Sequence, residues 1–586
     1  MSLVVARRGA QIDRTPAGVH PVLWRAYAAR GIRSTDELDV GLERLTPVGH
    51  LDGVEPAVEL LVKRRGQAIL VVGDFDADGA TSTALIVRAL RAWGFAAVDF
   101  LVPNRFEYGY GLTPEIVALA AQRTPALIVT VDNGISSVAG VAAARAAGID
   151  VLITDHHLPG AELPNANVIV NPNACGNRFP SRALAGVGVA FYVMAALRRR
   201  LVEAALVPAT AMSAADMLDL VALGTVADVV PLDANNRVLV AQGLRRIRAG
   251  RCVPGIRALL QIANRARLQL TAADLGFAVG PRLNAAGRLD DMTIGIRCLL
   301  TDSEPEALAL AARLDQLNAE RRTIEAKMQA EALAAVKFLR PVGAQGAAPD
   351  SRFVDRHGVC LFDASWHQGV VGLVAGRIKD RVRRPVVAFA RTDEHWLRGS
   401  ARSVPGVHIR DVLDAIAARH PELLQRFGGH AMAAGLTLEA RSLDAFAQAF
   451  DAEVARALDP NKSADTIETD GELGSDEIAL RTAQALREGG PWGQAFPEPT
   501  FDGVFAVKSA RRVGERHVKM WVETNSDARR AFDAVAFNYL DPNEPQPLPA
   551  GDVRLVYRLD VNEYQGDSRL QLLVDHVLPL EGSLVG

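Results

Sequence analysis

Gly73-Asp74-Phe75-Asp76-Ala77-Asp78-Gly79 follows the short apolar run Ala68 to Val72 and precedes a helix-like stretch from about Ala80 to Trp93. This is the layout of a buried parallel strand that ends in acids and hands over to a helix. In open α/β sheets, ligands bind at the carboxyl ends of the strands. Three carboxylates packed there are costly. Two charges about 6 Å apart at an effective dielectric of about 20 repel by roughly 3 kcal/mol. Divalent cations with hard oxygen ligands offset that repulsion best. Taken alone the heptapeptide also fits a plain turn, because Asp and Gly are common turn and N-cap residues.

The neighbouring segments weigh against the plain turn. Val98–Val102, Leu127–Val131, Val151–Thr154 and Val168–Val170 read as strands, with helices over 114–123 and 137–147 between them. That β-α rhythm implies a largely parallel sheet covered on both faces. Leu127–Val131 delivers Asp132-Asn133-Gly134, and Val151–Thr154 delivers Asp155-His156-His157. Ala227-Asp228 follows a stretch rich in Leu, Val and Ala in a helical region. Successive parallel strands place their ends on one edge, so Asp74, Asp76, Asp78, Asp132, His156 and His157 are expected to converge. Mixed carboxylate and imidazole ligands favour a borderline metal such as Mn²⁺. An aspartate able to bridge two ions points to a two-metal site, which suits water attack on a phosphodiester.

At 586 residues the chain is long enough for about three to four domains. A net charge of −3 advertises no global basic field, so nucleic-acid binding must rest on local patches. The four cysteines are far apart with no C-x-x-C pair, which rules out a ribbon-type zinc site and suits a reducing cytoplasm. Neither a signal peptide nor a membrane span is read, and a cytoplasmic protein is expected.

Residues 1–60 read as an N-terminal helical arm. A long helix is expected from Ser303, with Glu306 completing a capping box, through Leu310, Leu314, Leu317, Ile324 and Met328 to about Leu339. Pro341 to Ser351 reads as a linker, and a second α/β unit follows over about 352–455. Five strands from Phe501 to Val574 then suggest a small β-barrel, with an OB-fold as the leading candidate.

Gly73–Gly79, Val131-Asp132-Asn133-Gly134-Ile135, Asp155-His156-His157 and Ala227-Asp228-Val229-Val230-Pro231-Leu232 together resemble the DHH phosphoesterase superfamily. Pro103-Asn104-Arg105, Tyr108-Gly109-Tyr110-Gly111 and Arg282-Leu283-Asn284-Ala285-Ala286-Gly287-Arg288 are similar to motifs of its RecJ branch. So are Ser365-Trp366-His367-Gln368-Gly369-Val370-Val371-Gly372, Gly399-Ser400-Ala401-Arg402-Ser403 and Gly428-Gly429-His430. The resemblance spans about 60–575. It implies an α/β architecture with a parallel-sheet DHH catalytic domain over 61–302 and a connecting helix over 303–340. A DHH-associated substrate-binding domain over 352–455 and a C-terminal OB-fold nucleic-acid-binding domain over 465–586 complete it.

The resemblance also implies an activity: metal-dependent 5′-to-3′ exonuclease action on single-stranded DNA, yielding mononucleotides, in recombination and repair. Mn²⁺ or Mg²⁺ would serve, as two ions. Asp74 and Asp76 would hold the first ion, Asp132 would bridge, and Asp78, His156 and Asp228 would complete the second. Where the superfamily often carries a histidine four residues before Asp76, this chain has Val72. His157 would face the scissile phosphate, with Asp155 orienting an imidazole. Substrate contacts are expected from Arg105, Tyr110, Arg282, Asn284, Arg288, His367, Ser400, Arg402, Gly429 and His430. Tyr108, Tyr110 and Trp366 are candidates for base stacking.

An end-sensing pocket for a terminal phosphate is expected from Arg105, Ser400 and Arg402, where the catalytic and second domains face each other. The implied partners are a DNA strand with a free 5′ end, single-strand-binding protein and a RecQ-type helicase, with the enzyme a monomer. Two other readings compete. One is a phosphoesterase of the same superfamily acting on short oligonucleotides or cyclic dinucleotides, which typically lacks the terminal barrel. The other is an inactive scaffold, which predicts eroded acids, whereas all six ligand positions are filled here.

Overall fold

The computed structural model describes residues 4–9, 14–104, 107–108, 110–336, 356–458, 466–524, 527–540, 546–564 and 567–580. The chain divides into two compact bodies. Val5–Asp315 and Glu468–Gly586 form one, and Gln316–Ile467 with the residues up to Val4 form the other.

After a short strand β1 (Val4–Arg7), the larger body builds a sheet from β2 (Ala68–Gly73), β3 (Ala97–Leu101), β4 (Leu127–Val131), β5 (Asp150–Thr154) and β6 (Val168–Val170). Every pairing is parallel and the order is β3-β2-β4-β5-β6. The unbroken aliphatic runs of β2, β4 and β5 are what a sheet buried on both faces requires, and Val71, Val72, Ile128, Val129 and Ile153 have no exposure. Two details of this sheet place the site. The order reverses direction at β2, which makes its carboxyl end the topological switch point where crevices open. The register also pairs Gly73 with Val131, Val131 with Thr154 and Thr154 with Val170. The next residues, Asp74, Asp132, Asp155 and Asn171, therefore stand in a row, one strand spacing of about 4.8 Å apart.

The helix after β2 runs Ala77–Ala92, three residues earlier than the helix-like stretch suggested. Asp76 is its N-cap, accepting from Gly79 N at 3.0 Å, so Asp78 falls in the first turn. The first sixty residues are more than an arm. Their Val54–Lys63 helix buries Val54, Ala57, Val58 and Leu61 beside the Gly186–Glu203 helix of the larger body.

The long helix runs Glu304–Val336. Only half of the expected capping box forms. Ser303 Oγ accepts from Glu306 N, but the Glu306 carboxylate turns to Thr301 Oγ1 and Arg297. The expected linker lies outside the described residues. The second body holds β7 (Val359–Phe362), β8 (Val386–Arg391), β9 (Trp396–Arg402), β10 (Arg426–Gly429) and β11 (Ala433–Glu439) in the order β10-β11-β9-β8-β7. Only the β7–β8 pair is parallel. Phe389, Phe446 and Phe450 fill its core.

From Glu468 onward the chain belongs to the larger body. β12 (Thr466–Thr469) pairs with β1. β13 (Phe501–Val513), β14 (His517–Thr524), β15 (Asp527–Ala536), β16 (Gly551–Tyr564) and β17 (Asp567–Pro579) close into a barrel in the order β13-β14-β15-β17-β16. The barrel meets the five-strand expectation, with strands longer than the apolar runs alone indicated. Between β12 and the barrel, Trp492 stacks on Phe496 at 5.2 Å, and Phe496 lies against Tyr27. Leu232 N donates to Gln494 O at 2.8 Å, tying this segment to the loop after Asp228. Beneath it, Arg30 forks onto Asp470 with bonds of 2.8 and 3.0 Å, both side chains essentially unexposed. Among the described residues no helix is long and apolar enough to cross a membrane.

Candidate metal centre

The row of strand ends converges on His156. Its Nε2 lies 3.1 Å from Asp132 Oδ1, 3.5 Å from Asp228 Oδ2 and 4.0 Å from Asp78 Oδ2. Three sets of side chains bring one ligand atom each to within 4.8 Å of one another: Asp74-Asp76-Asp132, Asp78-His156-Asp228 and Asp132-His156-His157. Asp132 belongs to two of these sets, as a bridging ligand must.

Several local features hold the carboxylates so close. Asp132 is buried with φ +61, a left-handed conformation that Asp tolerates better than most residues. Asn133 donates from Nδ2 to Val72 O at 3.1 Å and Val131 O at 2.8 Å, stitching the ends of β2 and β4. Gly134, at φ +118, stands where a Cβ would meet Thr130 Oγ1 at 2.5 Å, so only glycine lets the chain turn there. Asp78 accepts from Gly186 N at 2.6 Å and Val187 N at 2.9 Å, so the amino end of the Gly186–Glu203 helix faces it with positive dipole.

The electrostatics of the cluster are those of a cation site. Burial, then the Asp78, Asp76 and Asp228 charges, push the Asp132 carboxyl well above the usual range. Asp228 is raised by burial and by Asp78 and Asp76. Asp78 is carried to about 7 by burial and Asp76, against its two backbone hydrogen bonds. Asp132 Oδ1 is buried and, among the described residues, accepts no hydrogen bond. An octahedral ion with ligands at about 2.1 Å spaces adjacent donors about 3.0 Å apart. The 3.1 and 3.5 Å separations around His156 fit that polyhedron. The donor set of carboxylates and one imidazole suits Mn²⁺ and Mg²⁺.

Asp155 orients His157 rather than His156. Its Oδ1 lies 2.8 Å from His157 Nδ1 and accepts from His156 N and His157 N, while Oδ2 accepts from Ile135 N. Burial pushes Asp155 up, yet these hydrogen bonds and the imidazole charges hold it below its ordinary value. Burial pulls His157 down, and Asp155 overcomes this and carries it to about 9. Tyr110 donates its hydroxyl to Asp132 O at 3.1 Å, and its half-exposed ring stands edge-on to His157.

The other expected site residues divide by body. In the larger one, Asn284, Arg282 and Arg288 sit on the Gly280–Leu289 helix. Asn284 Oδ1 accepts from Ala77 N at 2.8 Å, bracing the first turn after the acidic loop. Arg282 is engaged by Asp315 at 2.8 Å. Arg105 lies outside the described residues. In the second body, Ser400 and Arg402 stand on β9, His367 precedes the Val371–Val382 helix, and Gly429 and His430 close the β10–β11 hairpin. Arg402 donates to Ser400 Oγ at 3.0 Å and Ala401 O at 2.8 Å. Burial lowers its pKa, and among the described residues no carboxylate pairs with it. Trp366 is no stacking platform: it is buried, and its indole donates to Glu331 Oε2 at 2.9 Å.

Two asparagines escaped the sequence reading. Asn171 Nδ2 donates to His157 O at 2.9 Å and Asn173 Nδ2 to His156 O at 2.6 Å, so both hold the loop that carries the histidines. The available signal was their position directly after a strand of the same parallel sheet.

Three family models match the chain in succession. They are the DHH family N-terminal domain over residues 68–225, the DHHA1 domain over 355–456 and the RecJ OB domain over 469–576. The single-stranded-DNA-specific exonuclease RecJ of Dickeya dadantii is 52% identical over 579 residues, covering 98% of this chain and 99% of the relative. The crystal structure of Thermus thermophilus RecJ with Mn²⁺ aligns with a TM-score of 0.77 at 31% identity, over 96% of this chain and 76% of that one. The Mg²⁺ complex of the same protein gives 0.72 at 29% identity, over 96% and 75%. Identity over nearly the full length of a RecJ, together with the DHH, DHHA1 and RecJ OB models in order along it, makes this chain a member of the RecJ family of the DHH superfamily.

Proposed function

We propose that this chain is a metal-dependent exonuclease that hydrolyses single-stranded DNA from its 5′ end to mononucleotides. The observation that carries the reading is the convergence of Asp74, Asp76, Asp78, Asp132, His156 and Asp228 at one sheet edge, beside an imidazole held by its own carboxylate. Asp74, Asp76 and Asp132 would hold one divalent ion, and Asp132, Asp78, His156 and Asp228 the other. Bound there, Mn²⁺ or Mg²⁺ polarises a phosphodiester and lowers the pKa of water.

The chain's own groups do the rest. Asp155 fixes the His157 ring through Nδ1, which leaves Nε2 to carry a proton toward a phosphate oxygen. Tyr110 steadies that face from the Asp132 carbonyl. In the second body, Arg402 and Ser400 meet the start of the Val371–Val382 helix. A Cβ on Gly372 would lie 2.8 Å from Ser400 Oγ and 2.9 Å from Arg402 Nη2. A part-buried guanidinium with no carboxylate partner among the described residues, a hydroxyl and a helix amino end together suit a terminal phosphate. The partners remain part of the proposal on family resemblance: single-strand-binding protein and a RecQ-type helicase, in recombination and repair, in the cytoplasm.

Strands labelled at the 5′ or the 3′ end test the reading directly. In Mn²⁺ the 5′ label is expected to appear at once as mononucleotide, while the 3′ label persists on shortening strands until late. Chelator is expected to stop both. Immediate release of the 3′ label, or cleavage unaffected by chelator, would overturn it. Arg402→Ala is expected to reduce the preference for 5′-phosphorylated over 5′-hydroxyl strands by roughly tenfold or more, the value of one charge-assisted hydrogen-bond set. Matched oligonucleotides measure this, and an unchanged ratio removes Arg402 from end recognition.

A further inference from the structure

A cavity of about 230 Å³ opens beside the acidic loop, lined by Phe75, Val102, Pro103, Leu289 and Met292, with Asp290 and Asp291 among its polar walls. All its lining residues belong to the larger body. Phe75 stands between Asp74 and Asp76, so the cavity is one residue from the candidate ligands on either side. Its wall is rigid. Gly287 brings the Gly280–Leu289 helix so close that a Cβ would lie 1.8 Å from Phe75 O. Met292 is buried, which gives the cavity an apolar floor.

The two carboxylates are set in place. Arg313 Nη2 holds Asp290 Oδ2 at 2.8 Å, and Asp290 Oδ1 accepts from Asp291 N at 3.0 Å. Asp291 Oδ1 accepts from Thr293 N at 2.8 Å, at the start of the Thr293–Leu300 helix. Among the described residues that line the cavity, the charged groups are Asp290 and Asp291, with one guanidinium, that of Arg313, held against Asp290, so this part of the wall is net negative. Such a wall repels phosphate and accepts hydrogen bonds. An apolar floor beneath acceptors fits a flat ring that bears donors, and the part of a nucleotide with that chemistry is its base.

We propose that this cavity receives the 5′-terminal nucleobase of the strand being cut, with the ring against Phe75 and Met292 and an amino group toward Asp290 and Asp291. The inference rests on the exonuclease reading above and adds a specificity determinant to it. Cytosine, adenine and guanine carry an exocyclic amino donor that carboxylates accept, and thymine carries none. Removal of the terminal nucleotide is thus favoured when its base fills the cavity, and favoured further when that base has an amino group.

Single-turnover release of the first nucleotide, in Mn²⁺, from 5′-phosphorylated strands differing only at the terminal position tests this. Terminal deoxycytidine is expected to react roughly tenfold faster than a terminal abasic residue, as stacking on an aromatic implies, and several-fold faster than thymidine. Val102→Trp, which fills the cavity, is expected to bring the cytosine-to-abasic ratio close to one. Asp291→Asn keeps an acceptor for Thr293 N, and is expected to erase the cytosine-over-thymine preference while the abasic penalty persists. Equal rates for cytosine and abasic termini in the wild-type enzyme would overturn the proposal and leave the exonuclease reading intact. A folded Val102→Trp that still discriminates would also overturn it. Strands that are not shortened at all would bring down the exonuclease reading with it.

Discussion

Asp132→Ala is expected to lower turnover by about a thousandfold at saturating Mn²⁺. That loss corresponds to about 4 kcal/mol of transition-state stabilisation, the several kcal/mol a metal pair supplies. The size follows from position. Asp132 completes the Asp74-Asp76 set and lies 3.1 Å from the His156 Nε2 that serves the Asp78-Asp228 set, so its removal is expected to weaken both sites together. Alanine at φ +61 also strains the backbone by roughly 1 kcal/mol. Asp132→Asn therefore makes the cleaner variant, because asparagine tolerates that conformation and keeps the volume. It is expected to lose as much activity. The metal-free protein is expected to gain stability from the same change, since one of several mutually repelling buried carboxylates is gone. Mn²⁺ at a hundred times its dissociation constant should stabilise the wild type by about 2.7 kcal/mol, and most of that thermal shift should vanish in the variant. Asp132→Asn activity within tenfold of wild type would sink the bridging assignment.

The second large effect is on stability, far from the chemistry. Asp470→Ala is expected to destabilise the larger body by about 3–5 kcal/mol, the cost of leaving a buried charge without its partner. Arg30 has 2% of its side chain exposed and Asp470 none. Asp470 also accepts from Thr500 N at 2.9 Å and Arg8 Nη1 at 3.3 Å. Without the carboxylate, Arg30 keeps Pro497 O, Ala26 O and the Trp492 ring 5.3 Å away, none of which carries an opposing charge. A thermal melt of the full chain, followed by calorimetry, measures this. A midpoint unchanged within a degree would show that the pair contributes no net stability.

The sequence carried the catalytic sheet clearly because two independent signals agree there. Aliphatic runs mark β2, β4 and β5, and each ends in an acid. Parallel pairing then leaves no freedom in where those acids go. The convergence of those acids at one sheet edge was legible for that reason, and so was the five-stranded barrel. Asn171 and Asn173 were not, because an amide that braces a neighbouring loop looks in sequence like any loop residue. Trp366 misled because an indole near a glycine-rich motif has the same letters whether it faces solvent or Glu331. The Glu306 carboxylate chose Thr301 and Arg297 over the Ser303 amide because they offered a hydroxyl and a charge. The first sixty residues read as an arm because their apolar stripe does not announce which helix it will cover.

Residues 470–497 tell a gene-fusion experiment where to cut. Leu232 lies four residues past Asp228, takes its backbone acceptor from Gln494, and sits under Gly493 so tightly that a Cβ there would lie 2.8 Å from its side chain. A chimaera that exchanges barrels between relatives at residue 469 would strip Leu232 of that carbonyl and Arg30 of Asp470 in one stroke. A junction just before Phe501 keeps both. It asks of the incoming barrel an aspartate in place of Asp502, whose carboxylate gathers Arg7, Thr469 and Arg554, and a core face that still packs on Leu473, Ile478, Ala483 and Leu486. The natural seam lies where the barrel's first strand begins, some thirty residues past the end of the catalytic body's last obvious partner.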